Sequence, residues 1–306
     1  MVGGAFQVSL TFGVSLGLLA IGLRFSERVS GYLNLAHTLT LGVGMVATVT
    51  VSYAFGSQPY FAVPVAFVVA GSFNAIIYHV FFRRMEKRRS PEALIGLMGL
   101  GLVLVGKNAL SIITGPMRRL FDSPLWCGPA TISVSNMHLH FRDPSGLIIK
   151  PSVIAAFIVL GLVLSGLLYL EKTSSGIIIR AVSENEGLSV VLGVNPVKVK
   201  ALAWFIAGGL GGVAGTFYPY VSKGYFGRSS TYVVLPVFAA AMLFESDRPW
   251  ITALSGLFVG MLNISLIDWG QSIIGVWVGE YQFVLPLKLL AMGMIRKSMR
   301  ASPRAQ

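Results

Sequence analysis

Charge is scarce in this sequence: Asp, Glu, Lys and Arg together make 12% of 306 residues, about half the share of a soluble domain. Hydrophobic residues make 54% and mean hydropathy is +0.74, so the polar residues are too few to cover a surface facing water. The same figures exclude disorder. Cysteine is nearly absent: Cys127 stands alone, which excludes a disulfide scaffold. Also missing are a Ser/His/Asp set, a His-Glu-x-x-His helix and a paired-Asp motif, so the chain is not expected to be an enzyme or to carry a cofactor. No basic segment with a small-residue cleavage site precedes the first apolar run, and a cleaved signal peptide is not expected. What the sequence does have is long, unbroken apolar stretches. A membrane barrel would alternate over strands of about 10 residues. The remaining class is an all-α, polytopic transmembrane bundle, read as one domain over 1–306.

Nine apolar runs are marked, over 6–23, 31–54, 60–82, 94–113, 152–170, 201–221, 232–244, 251–267 and 273–295. A straight crossing takes about 20 residues. The run at 232–244 is short, and the run at 31–54 holds Asn34, His37 and several Gly and Thr. Both are expected to be broken or re-entrant, as backbone at membrane depth tolerates where it lines a cavity or is buried in protein. Eight or nine crossings are expected. Alternating the connections puts sixteen Lys and Arg on one side, among them Arg24, Arg28, Arg83, Arg84, Lys87, Arg88, Arg89 and Arg296. Six fall on the other: Arg118, Arg119, Arg142, Lys150, Lys223 and Arg228. That bias favours nine crossings of the cell membrane, with the N-terminus outside and the C-terminus in the cytoplasm. It also accounts for the net charge of +12. Nucleic acid is not expected as a partner, because no basic run is interleaved with aromatics.

Two soluble stretches are long. Segment 115–151 is expected outside and segment 171–200 inside. In the latter, Ser183 followed by Glu184 and Glu186 reads as a helix N-terminus, a hydroxyl cap with carboxylates at the positive end of the dipole. Leu188, Val191 and Leu192 form one apolar stripe, and Gly193 is placed to end the helix. The spacing predicts a helix over 183–192. A helix so short is unstable alone, so it must pack on its own bundle or on a soluble partner.

This segment resembles the cytoplasmic coupling loop of ABC importer permeases of the branched-chain amino acid type, the LivH/LivM family. The order of residues carries the likeness: Arg180-Ala181, then Glu184-Asn185-Glu186, Ser189, Leu192 and Gly193-Val194-Asn195, then Lys198 and Lys200. A glycine-rich stretch from Ala207 to Gly215 follows. A second stretch, Gly31-Tyr32-Leu33-Asn34-Leu35-Ala36-His37, is similar to the start of the family's second span. The sequence departs from the family at Thr38 and Leu39, at Phe244–Arg248, and at Met292-Gly293-Met294 where a Pro-x-Gly is usual. The resemblance implies a membrane permease for a small polar solute, most simply a branched-chain or other amino acid, with urea, amides or sugars as alternatives. It implies ATPase subunits, a second permease subunit and an extracytoplasmic solute-binding protein as partners, beside the lipid bilayer. Arg180, Ser183, Glu184, Glu186, Leu188, Leu192, Gly193 and Asn195 would then couple to the ATPase.

Other motifs have two readings each. Gly101 to Lys107 matches a phosphate-binding loop by letter, but it lies within an apolar run and Asn108 replaces the hydroxyl residue that would hold magnesium. Lys107 either snorkels to the outer interface or lines a path with Asn108. Asn34 and His37, at i and i+3, either offer polar groups to a solute or fix a broken helix by hydrogen bonds. Gly208/Gly212 and Gly211/Gly215 have G-x-x-x-G spacing, repeated at Gly13/Gly17 and Gly256/Gly260, and point to close helix packing. His138 and His140 lack a third ligand for a metal site. A secondary transporter or channel is the rival function. It would need coupling carboxylates within the runs; the one acid inside them is Glu280, near the outer end of the last run, and Asp268 stands at the outer end of the run before it.

Overall fold

A computed structural model describes residues 2–55, 58–121, 150–221, 232–244, 246 and 248–301. Among them the chain is helical, with no strand. Helix α1 spans Val2–Ser30. The expected break in the second run is real: residues 31–34 are irregular, Leu35–Thr38 makes a 3₁₀ turn, and α2 begins only at Leu39, running to Phe55. Helix α3, Val63–Ile77, passes through a π turn at Tyr78–Phe82 into the short α4, Arg83–Lys87. Then come α5 (Glu92–Phe121), α6 (Pro151–Lys172), α7 (Ser174–Glu184), α8 (Glu186–Val191) and α9 (Pro196–Phe217). The described residues end with α10 (Val234–Leu243), α11 (Pro249–Ile273) and α12 (Val284–Ala301).

Among the described residues, eight helical segments are long and apolar enough to cross a membrane. Helix α10 is not: ten residues rise only about 15 Å, half the hydrocarbon thickness. The chain nonetheless passes from one end of the bundle to the other through it. Tyr232 stacks on Phe283 with centroids 5.5 Å apart, and the Met242 carbonyl lies against Gly293, so α10 runs parallel to α12. Beyond α10, Ser246 and Pro249 line the same cleft as Arg24, Arg28, Glu171 and Arg180. That is the basic end, where α1 and α6 also finish. A short helix suffices because it is enclosed: Pro236 to Ala241 are all buried. The last expected run is likewise modified. Gly275, at φ +129°, interrupts it, a 3₁₀ stretch occupies Val276–Tyr281, and α12 starts only at Val284.

Helix α9 is the axis of the bundle. Residues Ala207 to Phe217 are all buried, because small residues let three helices approach it. Gly208 and Gly212 face Ala70, Asn74 and Ala66 of α3. Gly211 faces Thr40 and Leu19, and Gly215 faces Leu41 and Met45. A Cβ on Gly44 would lie 2.5 Å from the Gly212 Cα. Helices α1 and α11 repeat the device. Gly13 and Gly17 meet Gly260 and Gly256 across their crossing, and a Cβ on Gly260 would fall 2.5 Å from the Gly13 Cα. Hydrogen bonds add to the α9 contacts, where the Thr48 and Thr216 hydroxyls pair at 2.9 Å and the Asn74 amide donates to the Trp204 carbonyl at 2.7 Å, and another joins α11 to α10, where the Ser255 hydroxyl donates to the Ala240 carbonyl at 2.5 Å.

Candidate functional site: the basic end of the bundle

The segment joining α6 to α9 folds as two helices rather than the one expected over 183–192. Thr173 caps α7, its hydroxyl accepting from Gly176 N at 3.3 Å. Asn185 is extended and caps α8, its side chain accepting from Leu188 N at 2.9 Å. Ser183 is therefore not the cap; its hydroxyl donates to the Arg180 carbonyl at 2.8 Å inside α7. Asn and Ser are nearly equal as caps, and the chain turns at Asn185 because its neighbours Val182 and Ser189 are drawn into contact with the bundle and buried. Glu184 consequently sits at the negative end of α7, while Glu186 occupies the first turn of α8, where a carboxylate is favoured.

The other end of α8 is as expected. Gly193 has φ +83°, a left-handed conformation that a side chain disfavours. Val194 N donates to Ser189 O and Gly193 N to Val190 O, both at 3.0 Å, which is a Schellman closure. Asn195 then caps α9, accepting from Val197 N at 3.1 Å and Lys198 N at 3.4 Å, with Pro196 in the first turn. Between these stops α8 presents a bare apolar face. Leu188 is 56% exposed, Val191 81% and Leu192 71%. Arg180 is exposed on α7 and lines the cleft between α1, α6 and α11.

Sequence reasoning missed the group beneath this face. Lys200, in the first turns of α9, is buried. Its ammonium donates to Glu186 Oε2 at 2.9 Å and to Glu86 Oε1 at 3.3 Å. Glu86 also accepts from the hydroxyls of Tyr32 at 3.0 Å and Tyr78 at 3.1 Å. Burial, then the Glu86 carboxylate, raises the Tyr32 phenol above its ordinary range, so it remains a donor. One turn along α9, Trp204 packs against Tyr32, Tyr78 and Phe82 and donates to Ser30 Oγ at 2.7 Å. The available signal was Glu86, the one acid within the basic run 83–89.

The four candidate path residues do not form one cluster. Asn34 and His37 are fully buried. His37 Nε2 lies 3.1 Å from the Leu19 carbonyl, tying the broken second run to α1, while both amide atoms of Asn34 and His37 Nδ1 have no protein partner. On α5, Gly99 faces Leu35 and Ala36, and Gly106 faces Leu39. Lys107 is half-buried and Asn108 exposed, the Asn108 amide donating to Leu104 O at 2.7 Å. They lie about 12 Å along α5 from the level of Gly99. Segment 122–149, which holds His138 and His140, lies outside the described residues, as do Lys223 and Arg228. Among the described residues no group of three His, Cys, Asp or Glu is placed to hold a metal.

A family model described as the permease component of the branched-chain amino acid transport system matches residues 6–294. The chain belongs to this family. The match covers nearly every helix described above, so this permease is an ABC importer type of transport protein that crosses the membrane many times. It is similar to a probable branched-chain amino acid transport permease protein LivH of Methanocaldococcus jannaschii, 27% identical over 83% of this chain and 77% of the relative. It is also similar to the high-affinity branched-chain amino acid transport system permease protein BraD of Pseudomonas aeruginosa, 24% identical over 67% of this chain and 66% of the relative. No solved structure matches it.

Proposed function

We propose that this permease carries branched-chain amino acids into the cell, driven by ATP hydrolysis on separate ATPase subunits that dock on α8. The exposed face of Leu188, Val191 and Leu192 carries the proposal. It is apolar, held by caps at both ends, and stands on the basic end of the bundle, which the positive-inside rule assigns to the cytoplasm. In that orientation the chain enters α1 from outside and leaves α12 inside. A groove on the ATPase would bury the α8 face, and closure of an ATPase pair would push α8 against the bundle. A second permease subunit would complete the path, since α5 and α6 present long exposed apolar faces, with Leu97, Val105 and Leu162 each more than 60% exposed. Segment 115–151 would meet a solute-binding protein outside. Transport is then a population shift between two bundle states, biased by ATP and by the loaded binding protein.

Co-expression with ATPases encoded beside it, followed by reconstitution into liposomes, tests this. The expected result is ATP-dependent uptake of radiolabelled leucine, isoleucine and valine. Uptake driven by an ion gradient without ATPase subunits would establish a secondary transporter instead.

A further inference from the structure

The exposed face of α8 explains how a partner could grip this permease. It does not explain how a push on six residues reaches the membrane helices. Helix α8 is flanked by Asn185, at φ −153° and ψ 98°, and by the left-handed Gly193. A short helix between two such breaks is free to pivot unless something pins it. Of its six residues only Ser189 is buried, and its hydroxyl stays within the local turn, donating to the Asn185 carbonyl at 2.9 Å.

We infer that Lys200 is the pin: a positioning residue that ties α8 to the bundle, so that displacement of α8 is delivered to the basic ends of α4 and α9 together. The inference rests on the reading of α8 as the ATPase-docking element. Lys200 reaches two carboxylates on two different elements, Glu186 of α8 and Glu86 of α4. The α4 side of the link is the more enclosed, with the Glu86 side chain 19% exposed against 53% for Glu186. Glu86 is held by two tyrosine hydroxyls, one from the α1–α2 connection and one from the π turn. Trp204, four residues from Lys200 on the same face of α9, is wedged among Tyr32, Tyr78 and Phe82. The ammonium therefore joins a movable outer helix to a rigid aromatic block. Lysine suits the place because its single ammonium has three donors and a flexible stem. A buried charge left without a partner is costly, so the Lys200 ammonium stays on the enclosed Glu86, and its second bond, to Glu186, is what holds α8 to that fixed point.

The test places spin labels at Gly187→Cys and Arg84→Cys in a Cys127→Ser background. Position 187 is open enough to accept a side chain, the nearest atom to an added Cβ being Asn185 Oδ1 at 3.5 Å. In the assembled transporter, the label distance should be narrow and keep its value on ATP trapping. Lys200→Met should broaden it and lower leucine taken up per ATP by about fivefold or more, the lower range of an allosteric coupling. Glu186→Gln should act in the same direction, and Lys200→Arg should restore both readouts in part. Where Lys200→Met fails to assemble, the exposed Glu186→Gln decides alone. A narrow distribution and unchanged leucine per ATP in Glu186→Gln and in any assembled Lys200→Met overturn the pin. Lower thermal stability with unchanged coupling overturns it too. If the unmodified complex shows no ATP-dependent uptake, the ATPase reading fails instead, and the distance measurement in lipid on the chain alone still tests the tie.

Discussion

The centre of the bundle and its basic end are built on opposite principles. Around α9 its glycines lie against the main chain or side-chain atoms of α1, α2 and α3, with a few hydroxyl and amide bonds. At the basic end the contacts are side chain against side chain: two carboxylates, an ammonium, two phenols and a tryptophan. The first kind has no tolerance, since a single added carbon meets main chain that cannot move aside. The second kind has reach, bridging several elements through side chains, and it adjoins a short helix whose apolar face is exposed among the described residues. Close backbone approach sits where helices must hold their crossings, and side-chain links of longer reach where α8 stands exposed.

Substitutions can break or sharpen this contrast. The largest loss of stability is expected from Gly44→Leu, which drives a side chain into the Gly212 backbone. Overpacking costs about 1–3 kcal/mol or more, and folded yield in detergent should collapse. Gly193→Val comes next, at about 1–2 kcal/mol for a left-handed non-glycine residue. It is read as a lower melting temperature and as faster proteolysis after α8. Asn195→Ala removes the cap of α9 and should cost about 1 kcal/mol, visible in the same melting curve. Glu184→Lys should stabilise by about 0.3–1 kcal/mol, because residue 184 lies at the negative end of α7; destabilisation would restore the single helix expected over 183–192. Val191→Asp should leave the melting temperature unchanged, since Val191 is 81% exposed, yet abolish co-purification of the ATPase. Normal co-purification would move the docking face off α8.

The His37 and Asn34 pair sharpens the comparison from inside the membrane. His37→Ala removes the bond to the Leu19 carbonyl and should lower thermal stability. Asn34→Ala removes an amide that has no protein partner and should shift the apparent transport constant for leucine with little change in melting temperature. The reverse pattern would make Asn34 the structural residue and His37 the one that meets solute.

Much of this architecture follows from local pattern. The broken run at Asn34–His37, the G-x-x-x-G spacings and the stop at Gly193 depend on residues within a turn or two of one another, and the long apolar runs and the charge bias between connections are read from composition alone. The likeness of segment 180–215 to a permease loop rests on the same short-range order. The local pattern read Ser183 as the cap and was wrong: Asn185, a cap residue just as good, takes the place, with Val182 and Ser189 buried on either side of it.

Tertiary structure alone decided the rest. Short α10 completes a passage because its neighbours enclose it. Glycines at 13 and 17 have a purpose because those at 256 and 260 arrive opposite them. Lys200 and Glu86 are 114 residues apart, and in the sequence each reads as one more charge beside a basic connection. Hydropathy and spacing determine which segments enter the membrane and roughly where they stop, since those are free energies of transfer and of local hydrogen bonding. Which helix faces which, and so which buried charge finds its counter-charge, depends on contacts between segments far apart in the chain, and no local period encodes them.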